Sequence, residues 1–184
     1  MPHRAPGSLG LVQDFVNTRE LDPERDEIDT PEALGEWLEQ RGLLDGGRVS
    51  RADHERSLEL REALRRLLLA NNGGAPDAAD LALLGRLAAT SGLGPRFLAG
   101  ARVALEPAAS GVAGALGRLV AAVAEAMSEG TWSRLKVCAD QGCLWAFYDR
   151  SRNRSGHWCS MEVCGNRAKA RMFRRRRRSA GAGG

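Results

Sequence analysis

Apolar residues recur at three- and four-residue intervals over four stretches of the chain, and each stretch predicts an amphipathic helix. Thr30 reads as an N-cap followed by Pro31 and Glu32, opening a helix through Leu34, Trp37 and Leu38 that Gly42 ends. Ser50 starts a second, carried by Leu58, Leu60, Leu64, Leu67 and Leu68 and broken by Asn71, Asn72, Gly73 and Gly74. A third runs from about Asp77 to Thr90 through Leu81, Leu84 and Leu87, and stops before Gly92, Gly94 and Pro95. The fourth, Gly111 to Ser128, has Val112, Leu116, Leu119, Val120, Val123 and Met127 on one broad face and is expected at the centre of the core. Between them, Phe97 to Glu106 alternates Ala101, Val103 and Leu105 around Arg102, a strand pattern. Leu9 to Thr18 is apolar but too short for periodicity to decide between strand and short helix.

Charge divides the chain where this pattern ends, at Glu129 and Gly130. Residues 131–184 hold 13 Lys and Arg against Asp140, Asp149 and Glu162, which leaves 14 basic and 20 acidic side chains of the totals of 27 and 23 to residues 1–130. A cationic end on an anionic body predicts a polyanion-binding module tethered to a domain that does not itself favour phosphates. The body, residues 1–130, is therefore expected to fold without the rest and to show no affinity for nucleic acid. No run approaches the roughly 18 apolar residues of a membrane span, and the first thirty residues carry no signal-peptide core. A cytoplasmic protein without a membrane partner is expected.

All four cysteines lie in the cationic end, as Cys138-x4-Cys143, fifteen residues, then Cys159-x4-Cys164. Matched pairs separated by one hairpin's length of chain can place four thiolates tetrahedrally around one structural zinc ion, about 2.3 Å from each sulfur. The intervening chain reads as that hairpin: Leu144 to Tyr148 out, SRNRSG as the turn, His157 and Trp158 back. Ser160 then caps a helix with Cys164 near its first turn. Knuckle, hairpin and helix in that order are the treble-clef arrangement. Buried structural cysteines or a redox dithiol pair are the alternatives, and neither accounts for the symmetrical spacing. Four thiolates leave no open position for activated water, so the metal's role is structural.

After Cys164 the chain runs GNRAKARMFRRRRR. At 100° per residue Arg167, Arg171, Arg174 and Arg178 share one face, and Cys164, Ala168 and Met172 form the adjoining apolar stripe; Lys169 is a further candidate contact to nucleic acid. Arg150, Arg152 and Arg154 in the turn add a second cationic group. Guanidinium forks suit phosphate and guanine edges, so the set points to nucleic acid. The bland alternatives are a solvated face, or arginines that balance the charge of the zinc thiolates.

The string WCSMEVCGNRAKARMFRRRR, with the preceding C-x4-C and FYDRSRNRSG, closely resembles the CGNR zinc-finger family. DFVNTRE, WLEQRGLL and LREALRRLLLA resemble the ABATE domain that precedes this finger in bacterial stress-induced transcription regulators. The resemblance implies an α+β protein: a mainly helical body with a small β component over 1–130, a treble-clef finger over 131–178, and a tail at 179–184. It implies a DNA-binding finger and a body that senses a small-molecule effector or forms a homodimer. Asp14, Asn17 and Thr18 match the family's opening motif and either line a polar ligand pocket or hydrogen-bond a turn beside the first core element. No catalytic signature accompanies these motifs, so a non-enzymatic regulator is expected. An RNA-binding or ribosome-associated finger is the alternative. A treble-clef nuclease, using His157 with Asn153 or Asn166, is weaker because its second metal site would have only Asp140, Asp149 and Glu162 to draw on.

Overall fold

In the computed structural model, which describes residues 3–181 and side chains as far as Phe173, the caps read from the sequence form. Thr30 Oγ1 accepts the Ala33 amide at 3.1 Å, starting a helix over Pro31–Glu39, and Ser50 Oγ accepts from Asp53 at 3.1 Å, starting one over Arg51–Ala70. Such caps satisfy amides that have no intrahelical partner. With Leu9–Val16, a helix, as α1, these are α2 and α3; Ala78–Thr90 is α4 and Gly111–Ser128 is α5.

Among the described residues, three two-stranded antiparallel sheets accompany them. The first, β1 (Arg19–Leu21) with β2 (Glu24–Asp26), lies in a stretch with no strand signal. It is held to α3 by Arg61, whose guanidinium forks onto Asp26 at 2.6 and 2.8 Å. The expected single strand over Phe97–Glu106 is instead a hairpin, β3 (Gly94–Leu98) and β4 (Arg102–Glu106), pairing Phe97 with Val103. Its turn passes through Ala101 in the left-handed region (φ 55°). The third sheet joins β5 (Leu135–Val137) to β6 (Ala146–Tyr148), with Leu135 opposite Tyr148. A last helix, α6, spans Asn166–Gly181.

The core is α5 packed on α1 and α4, with α3 closing the group. α5 is long and apolar enough to cross a membrane, but Val112, Leu116, Leu119 and Val123 are buried against the other helices. Gly117 permits the approach, since a Cβ there would meet Ser91 Cβ at 2.7 Å. The same hydrophobic cluster continues without a break into β5 and β6: Leu135, Val137 and Ala146 are fully buried with Phe15, Leu64 and Leu68. The change of charge at residue 130 is thus not a boundary between two cores.

Candidate metal centre and cationic surface

The cysteine pairs are positioned by β5, β6 and the entry to α6. Cys138 follows β5 and donates its amide to the Trp145 carbonyl at 2.9 Å, so the knuckle from Cys138 to Cys143 is the connection between β5 and β6. The hairpin therefore surrounds the first cysteine pair. It does not lie between the two pairs as the sequence suggested: the apolar run at Ala146–Tyr148 finds its partner upstream in Leu135–Val137, and residues 149–156 form a loop. His157 returns from that loop and accepts the Ala139 amide at 2.8 Å through its carbonyl. Ser160 Oγ accepts from Val163 at 3.3 Å, capping a wide turn, Met161–Gly165, that carries Cys164 into α6.

The four Sγ atoms lie within 4.8 Å of one another, with Cys143 to Cys159 at 3.6 Å and Cys159 to Cys164 at 3.7 Å. A tetrahedral zinc with bonds of about 2.3 Å needs sulfurs about 3.8 Å apart, whereas a disulfide needs about 2.05 Å. All four are free thiols. Sulfur is also met by backbone donors, Asp140 and Cys159 N–H at Cys138 and Trp145 N–H at Cys143. Hydrogen bonds from the Cys143 and Cys159 thiols hold the Cys138 pKa low, and donating those bonds, with burial, pushes Cys143 and Cys159 up. Four adjacent thiolates coexist only around a dication, and this donor set fits zinc. His157 is not part of the cluster.

The loop with Arg150, Arg152 and Arg154 is built on a buried ion pair. Lys136 Nζ, on β5, donates to Asp149 Oδ2 at 2.9 Å and to the carbonyls of Arg154 and Gly156, with both charged side chains only 3% exposed. Asp149 Oδ1 accepts from Ser151 N–H and Oδ2 from Gly156 N–H. Burial alone would raise the Asp149 pKa, but these donors outweigh it and hold the carboxyl below its usual range. A Cβ on Gly156 would sit 2.9 Å from Asp149 Cγ, so the loop closes only around glycine. Arg134 adds bonds to the carbonyls of Asp149 and Ser151. The three arginines are left exposed on a fixed scaffold. Asp149→Asn is expected to cost about 3 kcal/mol in chemical denaturation at neutral pH, the lower end for breaking a buried pair. Because the folded-state pKa is depressed, the parent should lose this advantage as pH falls below the usual carboxylate range.

On α6 the arginine stripe is already partly engaged. Arg167 pairs with Asp22, at the β1–β2 turn, at 2.9 Å, and Arg171 with the buried Asp140 of the knuckle at 3.2 Å. Lys169 is exposed, while the side chains of Arg174 and Arg178 fall outside the described residues. Cys164 and Ala168 of the predicted apolar stripe are buried, but Met172 is 57% exposed, because the described chain offers no surface that far along α6.

The CGNR zinc finger family model matches residues 134–177, and the ABATE model, described as "putative stress-induced transcription regulator", matches residues 9–130, well over half of the chain. The chain belongs to the ABATE family. No curated protein matches it.

The ABATE opening motif serves the seam with the CGNR finger. Asn17 accepts the Ala146 amide through Oδ1 at 2.7 Å and donates Nδ2 to the Ala146 carbonyl at 2.9 Å, replacing a neighbouring strand on β6. Thr18 Oγ1 donates to the Phe15 carbonyl and accepts from Arg61, and Asp14 pairs with Arg4 at 2.6 Å. Seam and turn hydrogen bonds occupy Asn17 and Thr18, and an ion pair with Arg4 occupies Asp14. From α3 Arg65 reaches the Leu144 carbonyl, and from the turn that follows it Asn71 reaches those of Trp132 and Leu135 and Asn72 that of Val137. Sequence reasoning missed these polar residues, along with Lys136 and Asp22, because their partners are backbone groups or charged side chains elsewhere in the chain that no local motif announces.

Proposed function

We propose that this protein is a cytoplasmic, non-enzymatic bacterial transcription regulator. Its CGNR finger, folded around one structural zinc, binds DNA, and its ABATE body senses a small molecule or pairs with a second copy. The observation that carries the reading is the cationic loop: Arg150, Arg152 and Arg154 stand exposed on a scaffold fixed by the buried Lys136–Asp149 pair, in the same finger as Arg167, Lys169 and Arg171. A loop whose backbone is already held in place loses less conformational entropy on binding phosphate than a solvated tail would. The family description supports regulation. A closed four-thiolate shell supports a metal that shapes the finger and does not activate water.

If about six of these cations meet phosphates, log K should fall with log salt at a slope of about −5, as each neutralised phosphate releases about 0.9 counterion on B-DNA. Gel-shift titrations at two salt concentrations measure it. Alanine at Arg150, Arg152 and Arg154 should weaken binding on every sequence and flatten the slope. Arg167→Ala should cost less than Arg152→Ala, because Arg167 has to give up Asp22 before it meets phosphate. Tighter binding to structured RNA than to any duplex DNA would move the finger to the RNA-binding class. Unchanged affinity and slope with alanine at Arg150, Arg152, Arg154, Arg167, Lys169 and Arg171, zinc still bound, would reduce the cations to a solvated face.

A further inference from the structure

Between the β1–β2 hairpin of the body and the entry to α6 lies a cavity of about 310 Å³. Three of the zinc-ligand cysteines, Cys143, Cys159 and Cys164, lie on its floor, and its volume is at the lower end of the roughly 300–1,000 Å³ of small-molecule sites. Its wall is Trp145, half-buried, and Val163, 49% exposed, with Glu20, Asp22 and Arg167 around the rim.

The charges of this cleft do not balance. Arg167 is matched by Asp22. Glu20 is half-buried on β1, opposite Arg25 of β2, which pairs instead with Glu27, and the Glu20 carboxylate makes no hydrogen bond or ion pair among the described residues. Beneath it, zinc with four thiolates carries a net negative formal charge. Negative groups therefore border an apolar, indole-lined cavity on two sides, Glu20 at the rim and the thiolates on the floor, which disfavours carboxylates and phosphates and favours a cation with an apolar body.

We propose that the cleft binds a small organic cation, a primary or quaternary ammonium on an aromatic or aliphatic body. Its head group sits beside Glu20 and Asp22, and its body lies against Trp145 and Val163. A cation there competes with Arg167 for Asp22, so an occupied cleft frees Arg167. That consequence rests on the DNA-binding reading, while the binding itself does not.

The test uses full-length, zinc-loaded protein with benzyltrimethylammonium as the probe and benzoate as its charge-reversed counterpart, followed by tryptophan fluorescence and calorimetry. The cation should saturate one site with a dissociation constant of about 1 mM or tighter, and benzoate should not bind. Glu20→Gln should weaken the cation about fivefold, a typical loss for one partly exposed charge partner. Val163→Lys, at an exposed position, should abolish binding by placing a cation in the cleft. Zinc content and circular dichroism confirm that both variants fold. Benzoate binding as tightly as the cation, no saturation below about 10 mM, or parent-like binding by both folded variants would overturn the site. A protein that binds the cation but no DNA leaves the site standing and removes only the regulator reading.

Discussion

A chain ended after Gly130 is expected to lose cooperative folding. Truncation removes Trp132, Leu135, Val137, Ala146 and Tyr148, all buried in the cluster that holds Phe15, Leu64 and Leu68. Burying each large apolar side chain contributes about 1.5–3 kcal/mol, so their loss is on the order of 8 kcal/mol, set against the roughly 5–15 kcal/mol of a whole domain. Polar losses add to this, since Asn17, Arg65, Asn71 and Asn72 would each be left without carbonyls or amides they now contact. Urea titrations followed by circular dichroism should show one cooperative transition for the full chain and none for residues 1–130. A truncated chain with a transition near that of the parent would show that the finger strands are dispensable, as the charge division in the sequence suggested.

Removing the metal should have an effect of similar scale. The purified protein is expected to hold one zinc per chain through Cys138, Cys143, Cys159 and Cys164, and a strong chelator or Cys159→Ser should release it. Structural zinc in finger peptides supplies about 10–16 kcal/mol of apparent binding free energy at neutral pH, which becomes folding free energy. Here the knuckle is the connection between β5 and β6, whose side chains belong to the main core. Loss of zinc should therefore lower the melting temperature of the body helices as well as the finger. Elemental analysis and thermal unfolding monitored at the helical signal check both. Full zinc retention by Cys159→Ser, or a melting curve unmoved by chelation, would contradict this. Binding should weaken in acid, because the ligands are thiolates that must lose protons.

Much of this was readable from side-chain pattern, for identifiable reasons. α2 through α5 declare themselves by apolar spacing and by Thr30, Pro31, Ser50 and Gly42 at their ends, where the physics is local. The metal centre was legible because tetrahedral geometry constrains cysteine spacing directly. The β1–β2 hairpin was not: its strands are three residues each, REL and ERD, and tertiary bonds such as Arg61 to Asp26 hold it instead of an alternating apolar face. The partner of β6 was misread because Leu135–Val137 precedes the first cysteine, and nothing local distinguishes pairing upstream from pairing downstream. The continuity of the core was hidden by charge, which reports on surfaces while Leu135 and Val137 report on the interior.

Asn17 binds β6 through a peptide group, the amide and carbonyl of Ala146, and so reads no side chain of the finger. The clip is indifferent to the finger's sequence apart from two constraints at that position. Proline would remove the amide, and a bulky residue would not fit where Ala146 is fully buried. A different finger exchanged onto this body is therefore expected to fold only if the residue bonded to Asn17 stays small and the positions of Leu135, Val137 and Tyr148 still fill the shared core.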